Sequence, residues 1–358
     1  MATTATPANS AAPTDPIAPM LAKAISEVPE QDSVAGGLLY EPKWDGFRTI
    51  VYFDGDEIEL GSRGGKSLTR YFPELVAALK SQFSQPCIVD GEIVVRTGTA
   101  GNERLDWEAL SQRVHPAASR IALLSVETPA SLVAFDLLSL GDESLMERPF
   151  SDRRALLEDF LADRKAPLHL TQTTTDAALA RSWFSDFEGA GLDGVVAKPL
   201  AAPYAPGKRT LLKIKHKRTA DAVVLGYRVH KSGQGVGSLL LGLYGADGEL
   251  INVGGVSAFS DARRLELVEE FAPLVVRDDA GEAVTGERER NRFSASKDMS
   301  FVQLQPTRVV EVVYDQMEGS RFRHSAQFLR WRDDRDAASC TFDQLEIPVA
   351  YDLNDVLV

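Results

Sequence analysis

A single lysine and two carboxylates stand at places in this sequence where ordinary surface charges are not expected. Lys43 lies between the apolar runs 36–40 and 47–53, and turn formers surround it. Such runs predict strands, so the sequence predicts Lys43 at a strand-to-strand junction, where Gly46 allows a ligand to approach the backbone closely. A lysine in this position could act as a nucleophile. The alternative is an ordinary turn lysine.

The two carboxylates lie in or beside apolar runs, and Glu92 together with Asp90 interrupts a run that otherwise looks like a buried strand. Glu92 lies in the apolar run 88–95, and Asp193 precedes Gly194 at the head of another apolar run, 195–197. A carboxylate inside a core costs free energy unless it meets a partner or a ligand. We therefore predict a functional Glu92, and the alternative is a salt-bridged position at a sheet edge.

Basic residues are concentrated in one later segment of the chain. Between residues 198 and 231 there are nine Lys or Arg (198, 208, 209, 213, 215, 217, 218, 228 and 231) and one acid, Asp221. Lys213 and Lys215 are two residues apart on a predicted strand, so they point to one face. Because the whole chain has a net charge of -13, this segregation predicts a local anion site. A solvated linker face is the alternative.

Length and composition set the class of protein. At 358 residues, with 44% hydrophobic and 25% charged residues, the chain is predicted to be globular with two domains. The two cysteines lie far apart and give no metal-finger spacing, and no run approaches a membrane span. We expect a cytoplasmic protein with no membrane partner, and a mobile tail over residues 1–16.

The pattern of elements changes near residue 219. Before it, strands alternate with amphipathic helices, and the segment 17–28 could be a short helix or, over Pro19 to Ala22, a strap across the next domain. After it, closely spaced short strands and one helix near 261–271 predict a small barrel. The predicted fold class is α+β, with domains at 17–218 and 219–358.

Several motifs in this order resemble those of the ATP-dependent DNA ligases, within the superfamily of lysine-adenylating nucleotidyltransferases. The motifs are Lys43-Trp44-Asp45-Gly46, Ser62-Arg63, Asp90-Gly91-Glu92, Phe135-Asp136, the run from Asp193 to Lys198, Lys213-Ile214-Lys215 and the run from Arg332 to Arg335. Within this family, the sequence resembles the compact stand-alone bacterial type, such as ligase C and the ligase domain of ligase D. The resemblance implies an ATP-grasp-like nucleotidyltransferase domain followed by an OB-fold barrel.

The resemblance also implies roles for individual residues. Catalysis is assigned to Lys43, Lys213, Lys215, Arg332, Asp334 and Arg335. ATP binding is assigned to Glu41, Lys43, Arg48, Arg63, Glu92, Phe135, Lys198, Lys213 and Lys215. Mg2+ or Mn2+ is assigned to Asp45, Glu92 and Asp193.

Within these sets, Lys43 is expected to attack the α-phosphate of ATP and to carry AMP covalently. Phe135 is expected to stack on adenine, and Glu41 to contact the adenine edge. Arg48 is expected near the ribose and phosphates, and Arg63 near the DNA around a nick.

The sequence departs from the family pattern at three places. Asp193 stands where Glu is usual, Leu211 stands where Trp is frequent, and Arg335 stands where the closing motif usually has Lys. An arginine keeps the charge of a lysine but not its geometry.

The implied activity is the sealing of nicks in duplex DNA, in repair, recombination or replication. We expect a monomer that associates with the nucleoid while it acts on DNA. Its expected protein partners belong to end joining or base-excision repair. The alternatives are an RNA ligase, a capping-type nucleotidyltransferase and a non-catalytic nucleic-acid-binding OB protein.

Overall fold

The computed structural model describes residues 16–287 and 300–357. The chain divides into two compact units, of which the first comprises Met1–Lys215 together with Pro348–Val358 and the second comprises His216–Ile347. Residues 348–358, which the sequence predicts in the barrel domain, belong to the first unit. Apart from Pro16, the predicted mobile tail lies outside the described residues.

The first unit is built from two sheets with helices packed on them. Its strands are β1 (Leu21–Ile25), β2 (Leu38–Pro42), β3 (Phe47–Phe53), β4 (Ile58–Ser62), β5 (Cys87–Thr99), β6 (Asn102–Leu105), β7 (Ala130–Leu140), β8 (Glu143–Ser144), β9 (Leu168–Leu170), β10 (Val195–Pro199) and β11 (Arg209–Ile214). Its helices are α1 (Pro73–Gln82), α2 (Trp107–Gln112), α3 (Ala118–Glu127), α4 (Phe150–Phe160) and α5 (Ala177–Asp186).

One sheet has the strand order β1-β11-β10-β2, and the other has the order β4-β3-β5-β7-β8, with β6 paired to β5 and β9 paired to β7. The chain passes from the first sheet to the second between β2 and β3. The residues of this crossing, 43–46, are therefore held by both sheets.

The segment 17–28 is not a helix, so of the two interpretations given for it the helix is wrong, and the extended course of Pro19 to Ala22 agrees with the strap. Residues 16–20 are extended without a regular element, and β1 then pairs in parallel with β11. The apolar side chains that suggested a helix instead pack from an extended chain, and Met20 is buried with Ile50 and Leu138. Long-range pairing with β11 overrides the local preference, since Ala22 pairs with Leu211 and Leu21 with Arg209.

The described part of the second unit contains a large antiparallel sheet, the helix α6 and a small pair of strands, β18 and β19. Its elements are β12 (Arg218–Val229), β13 (Val236–Tyr244), β14 (Leu250–Val256), α6 (Asp261–Phe271), β15 (Thr285–Glu287), β16 (Ser300–Gln303), β17 (Val309–Tyr314), β18 (Met317–Glu318), β19 (Arg321–Phe322) and β20 (Gln327–Trp331). The order is β14-β13-β12-β16-β15, and β17 joins β12 to β20. The long strand β12 thus pairs with β17 along its first half and with β16 further on, around a shared core.

Candidate active site

The candidate nucleophile, Lys43, is held in place by hydrogen bonds of its backbone. The Lys43 N–H donates to the Gly194 carbonyl at 2.8 Å, and the Asp193 N–H donates to the Lys43 carbonyl at 3.0 Å. Gly194 has a φ of +119°, and a Cβ there would lie 2.0 Å from the Ile214 carbonyl oxygen. A glycine is therefore required where this backbone, β11 and the Lys43 loop meet.

Two lysine ammonium groups share one carboxylate oxygen. Lys43 Nζ and Lys215 Nζ each lie 2.7 Å from Asp193 Oδ2, and the Lys43 side chain is 19% exposed. Burial, followed by the charges of Lys215 and Lys43, lowers the pKa of the half-buried Lys213. The structure thus gathers three of the predicted catalytic lysines around one acid, with an excess of positive charge.

Glu92 reaches the same loop from β5. Its Oε1 accepts a hydrogen bond from the Gly46 N–H at 3.2 Å. A Cβ at Gly46 would lie 2.1 Å from the Ile93 carbonyl oxygen and 3.0 Å from Glu92 Cγ, so this contact also requires glycine. Burial raises the pKa of Glu92 to about 7, although the charges of Arg48 and Lys43 oppose the shift.

A second buried acid and lysine lie on paired strands of the first sheet. Glu41 Oε2 is 2.8 Å from Lys198 Nζ, and both side chains are 4% exposed. Lys198 Nζ also donates to the Phe135 carbonyl at 3.1 Å and lies 4.6 Å from the centre of the Phe135 ring. Burial raises the pKa of Glu41 and lowers that of Lys198. Glu41 Oε1 is buried without a hydrogen-bond partner, and such an acceptor is costly unless a ligand satisfies it.

Arg48 and Phe135 form a pair beside this acid. The Arg48 guanidinium lies 4.3 Å from the centre of the Phe135 ring. Its Nε and one terminal nitrogen donate to the two oxygens of Asp90 at 2.5 and 2.6 Å. Burial opposes the charged form of Arg48, but the Asp90 carboxylate outweighs it and holds the pKa of Arg48 above its ordinary value.

Two other predicted residues flank the hairpin of β3 and β4, since Asp45 precedes it in the Lys43 loop and Arg63 follows it. Arg63 is exposed in the turn that follows β4, next to Lys66, and Asp45 is partly buried beside the buried Trp44. Among the described residues, no three His, Cys, Asp or Glu side chains converge into a cluster that could hold a metal ion. Asp45, Glu92 and Asp193 therefore do not form a ready-made set of three ligands.

The predicted closing motif lies in the second unit, where it contacts an acid of β12. Arg332 donates to both oxygens of Asp221 at 3.0 Å and to both oxygens of Asp334 at 2.9 Å. The hydrogen bonds from Arg332 lower the pKa of Asp334 to about 2. Arg335 Nε lies 3.6 Å from Asp221 Oδ2.

Sequence reasoning gave no role to Asp90, Asp221 or Tyr204. Asp90 is fully buried and accepts hydrogen bonds from Arg48 and, at 2.6 Å, from the Tyr204 hydroxyl. Asp221 forms an ion pair with Arg332 of the closing motif. A signal existed for both acids, since Asp90 interrupts an apolar strand and Asp221 is the only acid in a basic segment. Their partners are distant in sequence and left no signal.

Comparison with known proteins gives family matches over most of the chain. A family model described as ATP dependent DNA ligase domain matches residues 19–215, and one described as ATP dependent DNA ligase C terminal region matches residues 232–335. The chain is 52% identical to DNA ligase C of Mycobacterium tuberculosis, over 96% of this chain and 97% of that relative. It is 54% identical to DNA ligase C2 of Mycolicibacterium smegmatis, over 93% of this chain and 95% of that relative.

A solved structure from a study of DNA binding by Lig E DNA ligases is similar in fold. It has a TM-score of 0.55 and 18% identity, and the match covers 87% of this chain and 99% of that one. Together with the family models, the observed elements confirm the predicted α+β class, with a nucleotidyltransferase-type unit followed by an OB-fold unit. No helix in the described parts of the chain is long and apolar enough to span a membrane.

Proposed function

This chain belongs to the ATP-dependent DNA ligases, and from that premise we propose that Lys43 is the residue that carries AMP between ATP and DNA. The observation that carries the proposal is the position of Lys43 Nζ, 2.7 Å from the Asp193 oxygen that Lys215 also contacts. Lys213 lies on the adjoining strand. A nucleophile, an orienting acid and two further cations thus occupy one corner of the first unit.

The charges suit phosphoryl transfer. Lys43 attacks only as a neutral amine, and its Nζ then bonds to the α-phosphorus while the bond to the bridging oxygen breaks and pyrophosphate leaves. Lys215 contacts the same Asp193 oxygen, so Lys43 shares this acid with a second cation. Lys213 and Lys215 would also stabilise negative charge on the phosphate in flight.

The adenosine of ATP is proposed to bind where the buried groups remain unsatisfied. The free Oε1 of Glu41 can accept a hydrogen bond from the adenine amino group, with Lys198 holding the other oxygen. Phe135 offers a ring for stacking, and Arg48 and Glu92 would contact the ribose and phosphates. An N–H donor placed at Glu41 Oε1 would remove the cost of that unsatisfied acceptor.

The carboxylates near Lys43 fit a hard divalent ion. Glu92, on β5, contacts the Gly46 amide, and Asp193, just before β10, contacts Lys43, so the two acids reach the loop from separate segments of the chain. Mg2+ is commonly held by one or two carboxylates together with substrate phosphates and water, which fits the absence of a three-acid cluster among the described residues. We assign the ion to Glu92 and Asp193, with Asp45 nearby. When bound, it would neutralise charge on the phosphates.

The DNA part of the proposal rests on exposed cations and on the chemistry of nick sealing. AMP passes from Lys43 to the 5′-phosphate at a nick, and the 3′-hydroxyl then displaces AMP. Arg63, exposed after β4, is proposed to contact DNA phosphates, which predicts binding that weakens with salt. We propose nicked duplex DNA as the substrate and repair, recombination or replication as the setting, since these processes leave nicks. We further propose that the nucleotidyltransferase domain, predicted at residues 17–218, carries out adenylation and that the barrel after it binds DNA and pyrophosphate.

The test is covalent transfer of label from ATP. Full-length protein is mixed with ATP labelled in the α-phosphate and Mg2+, and the adduct is measured after denaturation and by intact mass. We expect a mass increase of one AMP in the wild type and in Lys165→Ala, whose side chain is exposed, and none in Lys43→Ala. Label retained on folded Lys43→Ala would show that another residue is the nucleophile.

A further inference from the structure

Two tyrosine hydroxyls hold the extended segment 16–20 against the first unit. The Ile17 N–H donates to the Tyr52 hydroxyl at 2.8 Å, and the Met20 N–H donates to the Tyr204 hydroxyl at 3.2 Å. Met20 and Tyr204 are buried in one apolar cluster, against which Ile17 and Tyr52 also pack. Each of the two tyrosine hydroxyls therefore accepts one backbone hydrogen bond from this segment.

Only Tyr204 makes a second hydrogen bond that leads toward the candidate active site. Its hydroxyl donates to Asp90 Oδ2 at 2.6 Å, and Asp90 is 0% exposed. The same Asp90 oxygen accepts from Arg48 at 2.6 Å, while Oδ1 accepts from Arg48 at 2.5 Å. The carboxylate is thus fixed by three donors from two side chains.

The Asp90 carboxylate in turn sets the plane of Arg48. A guanidinium held through two nitrogens by one carboxylate has little freedom to rotate. It lies 4.3 Å from the centre of the Phe135 ring. The contact series from Met20 through Tyr204 and Asp90 therefore ends at the two side chains that we assign to nucleotide binding.

We propose that Tyr204 is a positioning residue for ATP, which orients Arg48 against Phe135 by fixing Asp90. This inference rests on the proposed nucleotide site, and Tyr204 itself does not touch the reacting atoms. It also gives the segment 16–20 a part in the site, because the Met20 N–H fixes the hydroxyl that Asp90 requires. A buried carboxylate that loses a donor reorients or gains freedom, since no solvent can replace the lost bond.

The expected effect is on ATP binding more than on the chemical step. Arg48 is proposed to contact the ribose as well as the phosphates, and the ribose does not react. Misplacement of Arg48 should therefore mainly remove binding that is common to the ground state and the transition state. For Tyr204→Phe we expect the KM for ATP, which is the concentration giving the half-maximal rate of adduct formation, to rise about 10-fold. The maximal rate of adduct formation should stay within about twofold of the wild type.

Tyr52→Phe is the matched control. It removes a hydroxyl that accepts from the same segment but has no bond to Asp90, so we expect an unchanged KM. Adduct formation is measured by intact mass over a range of ATP concentrations with full-length proteins, and thermal unfolding is recorded for each. An equal rise of KM in both variants would overturn the proposal and assign the effect to general loosening of segment 16–20.

A double-mutant cycle tests whether Tyr204 acts through Asp90. Asp90→Asn alone should raise the KM for ATP, and adding Tyr204→Phe should raise it little further, because the two changes break one series of contacts. Multiplying effects, or an unchanged KM in Tyr204→Phe or in Asp90→Asn, would overturn the proposal. Asp90→Asn also decides the matter if Tyr204→Phe fails to fold.

The proposed function can fail separately from this inference. Absence of any AMP adduct in the wild-type protein would refute the role of Lys43. A normal adduct with a normal KM in Tyr204→Phe would refute only the positioning role.

Discussion

Three lysines, Lys43, Lys213 and Lys215, surround the single carboxylate of Asp193 at the candidate site. One oxygen of Asp193 serves two ammonium groups, and Lys213 adds a third cation whose pKa burial lowers. Glu92, which accepts a hydrogen bond from the Gly46 N–H of the loop, has a raised pKa because burial disfavours its charge. A polyanion such as ATP would therefore meet a site with unbalanced positive charge.

Glu92 gives a prediction about pH. Its pKa of about 7 means that the ionised fraction grows as the pH rises through 7, so adduct formation that needs the carboxylate should rise between pH 6 and pH 8. In Glu92→Gln we expect adduct formation to be slower by about 10-fold, without that rise. The measurement is single-turnover adduct formation across pH, with Glu127→Gln, at an exposed position, as control. Parallel pH profiles for Glu92→Gln and the wild type would contradict this role.

The same pKa makes a statement about stability. The folded-state pKa of about 7 lies above the ordinary value of 4.5, so the unfolded chain releases the Glu92 proton first as pH rises. The stabilising contribution is complete below pH 4.5 and is lost as pH rises through 7. At pH 8, Glu92→Gln should be more stable to denaturant than the wild type, by at most roughly 3 kcal/mol.

At the scale of elements, the site exists because two sheets meet at a loop. Strand β2 delivers Lys43, β10 follows Asp193, β11 carries Lys213, and β5 delivers Glu92. Glycines stand at the two closest approaches, Gly46 against β5 and Gly194 against β11. Small backbone shifts at these glycines would separate the charged groups.

Gly194→Ala is predicted to damage both stability and adenylation. The added Cβ would lie 2.0 Å from the Ile214 carbonyl oxygen, and the φ of +119° is unfavourable for alanine. We expect a loss of about 3 kcal/mol in the free energy of unfolding and at least a tenfold slower adduct formation, since Asp193 is adjacent. Gly64→Ala is the control, because nothing lies within 4 Å of its added Cβ. Wild-type stability of Gly194→Ala would show that the backbone relaxes freely there.

At the scale of the whole molecule, the chain returns to its first unit after building the second. Leu353 and Val356 are 0% exposed and belong to the apolar cluster that contains Trp44 and Leu192, the neighbours of Lys43 and Asp193. Gly189 permits the return, since a Cβ there would lie 1.8 Å from the Val349 carbonyl oxygen. The second unit is thus joined to the first by the chain at both of its ends.

Leu353→Ala should therefore destabilise the first unit, although the residue follows the second in sequence. Removal of a fully buried leucine side chain costs about 3 kcal/mol, so we expect a lower unfolding temperature for the transition that loses the adenylation activity. Calorimetry with activity measured after each temperature step would detect it. Ile347→Ala provides the comparison, since Ile347 is 88% exposed and should leave the transition unchanged. Equal stability of the two variants would contradict the docking of this segment.

The closing motif of the second unit gives a prediction about separate steps. We expect Arg335→Ala to slow AMP transfer to Lys43 more than it slows sealing of a nick that already carries AMP, because the motif is assigned to the pyrophosphate leaving group. The two rates are measured with ATP and unmodified nicks, and with pre-adenylated nicks and no ATP. Similar losses in both assays would count against a role confined to the first step.

The sequence by itself determined the family, the two-part α+β order and the candidate residues that lie in short motifs. Lys43, Glu92 and the pair Lys213 and Lys215 could be found because the chemistry depends on residue types at close spacing, and strands such as β3 and β17 follow from local apolar patterns. These features need only a few neighbouring residues. They can therefore be predicted without knowledge of the fold.

Only the tertiary structure decided which charges meet. Lys43 and Asp193 are 150 residues apart, and Tyr204 and Asp90 are 114 apart, so no local pattern links them. The structure likewise decided between the helix and the strap for segment 17–28 by pairing Leu21–Ile25 with β11, and it placed Leu353 in the apolar cluster that contains Trp44. Burial, hydrogen bonding and pKa are properties of these assembled surroundings, because each depends on groups that folding alone brings into contact.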